Sequence, residues 1–359
     1  MQIAVFVLML SVLVLIHEFG HFLMAKAFGM RVEEFGIGLP PRAKSLFHWW
    51  GTVFSLNWLP IGGFVRLYGE DYEDETQLNS VNAFFNKPIW QRAAVLVAGV
   101  VMNFALGVVL FGAVYSVVGI PTKTENIHIV EVRKNSPAEG AGISLDSVVV
   151  KIKEGTNEFT FKSTEEFVKT IESLKGKKIS LVMRVDKEEK IFEVTPRENP
   201  PMGEGSLGVA LSTMEMIHYP WWQMPFRGVV VGMNEAVSWG REIVSNLWMV
   251  LFQIFTGKGV PKDISGPIGI YQVSKEVYKF GWTAILQFMG VLSVNLAILN
   301  IMPFPALDGG RIVFLGVEKL IGKQRKNKIE GYVHSAGMIL LMALMVMITI
   351  RDVLKLIRS

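Results

Sequence analysis

Residues 17–21 read HEFGH inside the apolar run LVLIHEFGHFLMA, Leu13–Ala25. On a helix, positions four apart share a face, so His17 and His21 can present both imidazoles to one divalent ion. Glu18 stands beside the first of them and can reach a water on that ion. Zinc lowers the pKa of such a water to about 7, and a glutamate at this spacing can take its proton as general base. The chemistry predicted is metal-assisted hydrolysis. An HExxH also arises by chance in soluble proteins, and two interfacial histidines can simply hydrogen-bond. The apolar setting weakens both alternatives, because each ionisable side chain facing hydrocarbon costs roughly 3 kcal/mol and is rare there without a purpose.

A catalytic zinc needs a third protein ligand and an open position. The chain has no Cys, so disulfides and thiolate ligands are excluded and the third ligand is His, Asp or Glu. NLAILNIMPFPALDGGR, residues 295–311, supplies Asp308. Pro303 and Pro305 end the helix before it, and Gly309 and Gly310 predict a sharp backbone turn beside the metal. LDGG alone reads as a turn aspartate; paired with an intramembrane HExxH it reads as a ligand. The remaining histidines, His48, His128, His218 and His334, read as surface or interfacial residues. Asn295 and Asn300, at membrane depth, read either as helix–helix hydrogen bonders or as partners for the exposed amides of an unwound substrate. Asn103 reads equally as packing or as part of the site.

These residues need a membrane scaffold to hold them, and the composition predicts one. Of 359 residues, 50% are apolar and 19% charged, with a mean hydropathy of +0.37; soluble domains carry about 25% charged residues. The net charge of +4 comes without a compact basic run interleaved with aromatics. It fits loops facing anionic lipid and excludes a nucleic-acid partner. Apolar runs predict transmembrane helices at residues 3–27, 93–118, 282–302 and 335–350, about 20 residues being enough to cross. The first lacks a basic n-region and a small-residue cleavage site, so it reads as a retained helix. Residues 226–255 are apolar but carry Glu235, Arg241, Glu242 and Asn246, which predicts an interfacial or partly inserted amphipathic helix.

The short loop EKLIGKQRKNKIEG, Glu318–Gly331, is rich in Lys and Arg and is therefore predicted cytoplasmic. With four spans, both termini then lie outside. The loop between the first two spans contains FGIGLPPRAKSLFHWWGTVFSLNWLPIGGFVRLYGE, strand-like runs broken by Gly and Pro that predict short hairpins. It is too apolar for a solvated loop, and backbone at membrane depth is allowed only where protein buries it or water reaches it. A β-rich re-entrant loop lining a cavity meets that condition, and its edge, around Val53–Val65, can bind an extended peptide by strand addition. Residues 121–200 alternate in short strands around one amphipathic helix, Thr164–Leu174, behind a Ser163 cap. They predict a soluble α+β module of ordinary small-domain size. The expected fold class is thus a polytopic α-helical membrane protein with a re-entrant β-rich loop and an inserted α+β domain.

Taken together, the HExxH of the first span, NxxPxPxLDGG at a later one and the module between them resemble the site-2 proteases, zinc-dependent intramembrane metalloproteases. A single extracytoplasmic PDZ domain after the second span is similar to the bacterial group that regulates sigma factors. The resemblance implies Zn2+ on His17, His21 and Asp308, Glu18 as catalytic base, and substrate contacts from Asn295, Asn300 and the Gly62–Gly63 part of LPIGGFVRLYGE. SGPIGI, Ser265–Ile270, matches the segment ahead of the third span, and SPAEGAG, Ser136–Gly142, resembles the PDZ signature. Two positions depart from the pattern. Val100 stands where the family often has Pro, and Leu145-Asp146-Ser147 replaces the usual Pro-Gly-Asp turn.

The implied organisation is a first span in 1–30, the re-entrant loop in 31–92, a second span in 93–120 and the PDZ-like domain in 121–212. An interfacial helix with linker fills 213–281, and two further spans fill 282–359. The implied function is regulated intramembrane proteolysis in the bacterial inner membrane. Its substrate would be a single-span membrane protein, an anti-sigma-factor-like protein or a signal-peptide remnant, after trimming by an upstream site-1-type protease. A PDZ-bearing membrane adaptor with a vestigial zinc site and a metal transporter are the rival readings. The intact Glu18 argues against the first. The convergence of the ionisable groups on one place argues against the second, since transport distributes them along several spans.

Overall fold

The computed structural model describes residues 2–70, 80–145, 147–185, 188–201, 203–256 and 266–358. Two compact units emerge, one formed by residues 1–114 with 225–359 and the other by residues 115–224.

In the first unit, helix α1 (Gln2–Ala27) and helix α2 (Ile89–Val118) are apolar along nearly their whole length. Both are long enough to cross a bilayer, as are helix α7 (Trp282–Ile301) and residues Ile329–Lys355 of helix α9 (Lys323–Arg358). The four spans predicted from hydropathy are these, the last reaching further at both ends than 335–350. The basic stretch 318–331 is not a loop. It is the end of helix α8 (Asp308–Ile321) and the start of α9, with Gly322 alone breaking the two. Residues 226–255 fall in one helix, α5 (Met224–Phe255), that is not among the candidate spans. Helix α6 (Pro267–Lys279) occupies what was read as linker. Pro267 starts it, in the position where a missing N–H costs nothing; Ser265 of SGPIGI lies outside the described residues.

The loop after α1 forms two long strands, β1 (Val32–Trp49) and β2 (Thr52–Leu67), joined by Trp50 and Gly51. Both linking residues have positive φ, 50° and 70°, as a two-residue hairpin turn requires. Each strand bends in its middle. Residues 34–37 therefore pair with 63–66 in antiparallel register on one side and with 53–56 on the other, while 42–48 also pair with 53–57. The predicted short hairpins are thus one hairpin folded upon itself, with 63–67 at an edge. Its aromatic side chains Phe35 and Phe54 pack with Phe19 and Phe22 of α1. Only the start of the acidic GEDYEDETQ turn lies within the described residues.

The second unit is a six-stranded sheet. Strands β3 (Ile120–Val132), β4 (Val148–Glu154), β6 (Ile179–Val185), β7 (Glu188–Val194) and β8 (Val209–Ile217) run in the order β7-β6-β4-β3-β8, with β5 (Asn157–Phe159) paired to β4. Strand β8 lies beyond the stretch read as the module; its pairing with β3 carries the unit to Met224. Helix α4 (Thr164–Ser173) begins as predicted, with the Ser163 hydroxyl accepting from Glu166 N at 3.2 Å. The short α3 (Pro137–Gly140) is capped likewise by Ser136. Ile127, Ile152, Phe167, Ile179, Leu181 and Met183 form the dry core between sheet and α4. Asp146, the unusual turn residue, lies outside the described residues.

Candidate metal centre and active site

Turn geometry on α1 places His17 and His21 one above the other, both buried, and the start of α8 brings Asp308 to them. The separations are 3.0 Å for His17 Nε2–Asp308 Oδ2, 3.3 Å for His21 Nε2–Asp308 Oδ2 and 3.1 Å for His17 Nε2–His21 Nε2. A tetrahedral zinc with bonds of about 2.0–2.1 Å holds its ligand atoms about 3.3 Å apart, so this donor set has the size the ion needs. Among the described residues these are the His and acidic groups that converge closely enough to hold a metal.

The surrounding polar groups fit the same ion. His21 Nδ1 lies 2.8 Å from the Val95 carbonyl oxygen. A carbonyl only accepts, so Nδ1 carries the proton and Nε2 is left with its lone pair for a metal. For His17, Asn103 Nδ2 is drawn 3.5 Å from Nδ1 while Asn103 Oδ1 is buried without a partner. Amide oxygen and nitrogen are assigned from the hydrogen-bond network. Turning this amide over lets His17 Nδ1–H donate to Oδ1, which satisfies the orphaned oxygen and again frees Nε2. Asn103 thereby takes the site role of the two open to it. Outer-shell partners of this kind carry about 10–100-fold of metal affinity. Asn103→Leu, close in volume, is expected to weaken zinc binding by about that factor, as read by competition with a fluorescent chelator.

Glu18 points into the same cavity, of about 220 Å³, lined also by Phe64, Val65, Glu70, Ala306, Arg311 and His334. Its Oε2 accepts a 3.0 Å hydrogen bond from Val65 N. Because 63–67 is an edge of the hairpin, that N–H is free of the ladder and holds the carboxylate. Arg311, three residues after Asp308, is ion-paired with Glu70. Asn300 Nδ2 lies 3.4 Å from His17 Nε2, whereas Asn295 lies further up α7 and does not line the cavity. Gly62 and Gly63 sit against Ser11, Val14 and Leu15 of α1, two to six residues before His17. Gly62 N donates to Ser11 Oγ at 3.4 Å, and a Cβ on Gly63 would come within 2.6 Å of Leu15.

Three site features differ from expectation. Gly309 and Gly310 do not make a turn; they lie in the first turn of α8, pressed against the carbonyls of Ile301, Met302 and Phe304. Small size, not backbone freedom, is what those positions require. The residue of positive φ is instead Ala306, at 78°. His334, read as interfacial, lines the cavity. Gly99 of α2 backs both imidazoles, 2.6 Å from His21 Nε2 to where its Cβ would be. Only the neighbouring Val100 and Asn103 drew attention in the sequence, and nothing local marks Gly99 as a contact.

Two histidines and a carboxylate with a glutamate beside them, set among membrane-spanning helices, define a membrane metallohydrolase. Residues 5–344 match the model of peptidase family M50, and the chain belongs to that family, the site-2 proteases. It is a zinc-dependent metalloprotease and a multi-pass membrane protein. Its relatives agree. A provisionally named zinc metalloprotease of Fusobacterium nucleatum is 33% identical over 99% of both chains. Another from Clostridium perfringens is 35% identical over 99% of both. Zinc metalloprotease RasP of Oceanobacillus iheyensis is 28% identical, also over 99% of both chains. A solved PDZ domain from an SdrC-like protein of Listeria innocua aligns with 26% of this chain at 18% identity and a TM-score of 0.21.

Proposed function

We propose that this protein cuts a single-span membrane protein within or near the bilayer, with His17, His21 and Asp308 holding zinc and Glu18 acting as base. The observation that carries this reading is the convergence of the three ligand atoms, all within 4.8 Å of one another, in one cavity with Glu18. Zinc bound there supplies Lewis-acid polarisation of the scissile carbonyl and of the attacking water. Glu18, aimed by Val65 N–H, takes a proton from that water and returns it to the leaving amine. A helix hides its peptide bonds, so the substrate must unwind. The hairpin edge at 63–67, with Asn300 beside His17, is the proposed receiver of the unwound segment.

The orientation follows the basic residues. Lys323 reaches Asn86 and stacks on Phe85, and Arg92 pairs with Glu318, so the starts of α2 and α9 and the end of α8 share one side. That side is proposed to be cytoplasmic in a bacterial inner membrane. The termini and residues 121–212 are then extracytoplasmic. The sheet and helix α4 of the latter are proposed as a PDZ-like domain that, with α5, admits only substrates already trimmed by a site-1-type protease.

The test is cleavage of a single-span substrate, trimmed and untrimmed, by the purified zinc-loaded protein in detergent, with mass spectrometry of the products. A cut inside the span, faster on the trimmed form, is expected. Glu18→Gln should retain zinc and lose at least about 100-fold in rate, the lower range for a positioned general base. Equal rates for Glu18→Gln and the unsubstituted protein would remove the assignment of Glu18.

A further inference from the structure

Ser11 is a buried hydroxyl on the apolar helix α1, 8% exposed. A serine within a helix ordinarily turns its hydroxyl back to the carbonyl four residues before it. This one reaches across to strand β2. Its Oγ donates to the Pro60 carbonyl at 3.2 Å and accepts from Gly62 N at 3.4 Å. Two turns further along the same face of α1, Glu18 Oε2 accepts from Val65 N at 3.0 Å. The strand is thus pinned to the helix at two points. The spacings match: from Ser11 to Glu18 the helix rises about 10.5 Å, and from Gly62 to Val65 the strand rises about 10 Å. Between the pins Gly63 lies so close to α1 that a Cβ on it would meet Leu15 at 2.6 Å.

In a strand the C=O of one residue and the N–H of the residue two further on point to the same side, so they are a pair that a neighbouring strand takes. Ser11 fills that pair at Pro60 and Gly62 with a single hydroxyl. Gly62, at φ 76°, turns the backbone there, and the edge at 63–67 begins beyond it. α1 is long and apolar enough to span the bilayer, where no water competes for backbone groups. The hydroxyl therefore closes the edge. A peptide added along 63–67 cannot continue onto Pro60 and Gly62.

We propose that Ser11 is a positioning residue that sets which bond of the substrate is cut. It fixes where the receiving edge begins, while Val65 ties the same edge to the base. A peptide bound on that edge then has one register relative to Glu18 and the three ligand atoms. Ser11 acts through the hairpin and not on the reacting atoms. This rests on the function proposed above.

The experiment compares Ser11→Ala, which removes the hydroxyl, and Ser11→Thr, which keeps it, with the unsubstituted full chain, all zinc-loaded in detergent. Mass spectrometry of the products from the trimmed substrate reads which bonds are cut and in what proportion, and zinc content is measured alongside. With the Pro60–Gly62 pair open in Ser11→Ala, the peptide slips along the edge. New cuts should appear within about two residues of the main one, the repeat of a strand. The ratio of the main cut to these should fall at least about fivefold, the worth of one hydrogen bond, with zinc content within twofold. Ser11→Thr should restore the original pattern. Slower cleavage at an unchanged bond, or loss of zinc in step with rate, would reduce the hydroxyl to a support of the fold and overturn the proposal. The same pattern of cuts in the Ala and Thr variants overturns it as well. Glu18→Gln, run beside them, separates the two levels. If it cuts at full rate, the protease site is itself misassigned; if it is inactive while Ser11→Ala cuts the original bond alone, only the role of Ser11 fails.

Discussion

Gly99→Ala is expected to lower hydrolysis at least about 100-fold, the cost of misplacing catalytic groups by as little as 1 Å, and to reduce bound zinc. An alanine methyl would sit 2.6 Å from His21 Nε2 and 2.7 Å from both His17 Cε1 and His21 Cε1. Real carbon contacts do not close below 3 Å, so either α2 or the rings must move. Helix α2 is held from two sides. Gly20 of α1 abuts the carbonyl of Ala98, at 2.5 Å from where its Cβ would lie, and Gly107 abuts Gly290 O at 3.3 Å. The rings are therefore what moves, and each then loses its outer partner, Val95 O or Asn103. Gly316→Ala on α8 is the matched control. Its Cβ meets nothing within 4 Å, so zinc and rate should hold, and helix propensity should add up to about 1 kcal/mol of stability. Zinc content by mass spectrometry and rate on the trimmed substrate are the readouts. Normal zinc and rate in Gly99→Ala would show that the imidazoles have room to rearrange, and the backing role would be lost.

What was legible in the sequence divides along local and non-local lines. His17, Glu18 and His21 are read from one turn of helix, because the spacing of four itself creates the shared face. Asp308 follows from ligand chemistry once cysteine is absent. The spans follow from composition, since a bilayer asks only for length and apolarity. The Ser163 cap is likewise written in four consecutive residues. Gly99 was not legible as a contact, because which helix backs the HExxH face is a tertiary fact. Strand β8 was missed because its pairing with β3 joins residues far apart in the chain, from Val132 with Val209 to Ile120 with Ile217, with nothing in its own alternation to announce the partner. The basic run at 318–331 looked like a loop because charge usually marks one; here helix continues through it, and its lysines reach Asn86, Phe85 and Glu330. At Gly309 and Gly310 the residue type was noticed and its reason misread. Glycine serves close approach as well as unusual φ, and only the carbonyls of Ile301, Met302 and Phe304 distinguish the two.

The second large effect is expected at Arg92 and Glu318, which hold the two halves of the site together. Arg92 opens α2, whose next turns carry Val95, Gly99 and Asn103; Glu318 lies on α8, whose first residue is Asp308. The guanidinium binds both carboxylate oxygens, at 2.8 and 2.6 Å, with side chains only 3% and 9% exposed. Breaking such a pair from one side leaves a buried charge without its partner, a loss of about 3 kcal/mol or more. Glu318→Gln should accordingly melt well below the unsubstituted protein and bind zinc more weakly, as α8 loosens from α2. The double variant Arg92→Met, Glu318→Leu, which buries no charge, should recover most of the melting temperature. The pair also has a pH signature. Burial pushes the Glu318 carboxyl up, but hydrogen bonds and charge from Arg92, helped by Lys326 and Lys323, outweigh it and hold the group below the ordinary glutamate range. A carboxylate depressed in the folded state stabilises above its unfolded pKa, about 4.3, and loses that contribution as pH falls through the folded value. The gap in melting temperature between the unsubstituted protein and Glu318→Gln should therefore be full at neutral pH and shrink below about pH 4.3. Measuring the gap on zinc-free protein removes the parallel loss of metal at low pH. A gap that is constant from pH 7 to pH 3, or a double variant no better than Glu318→Gln alone, would mean that the charge pair is not what clamps Asp308 against the histidines.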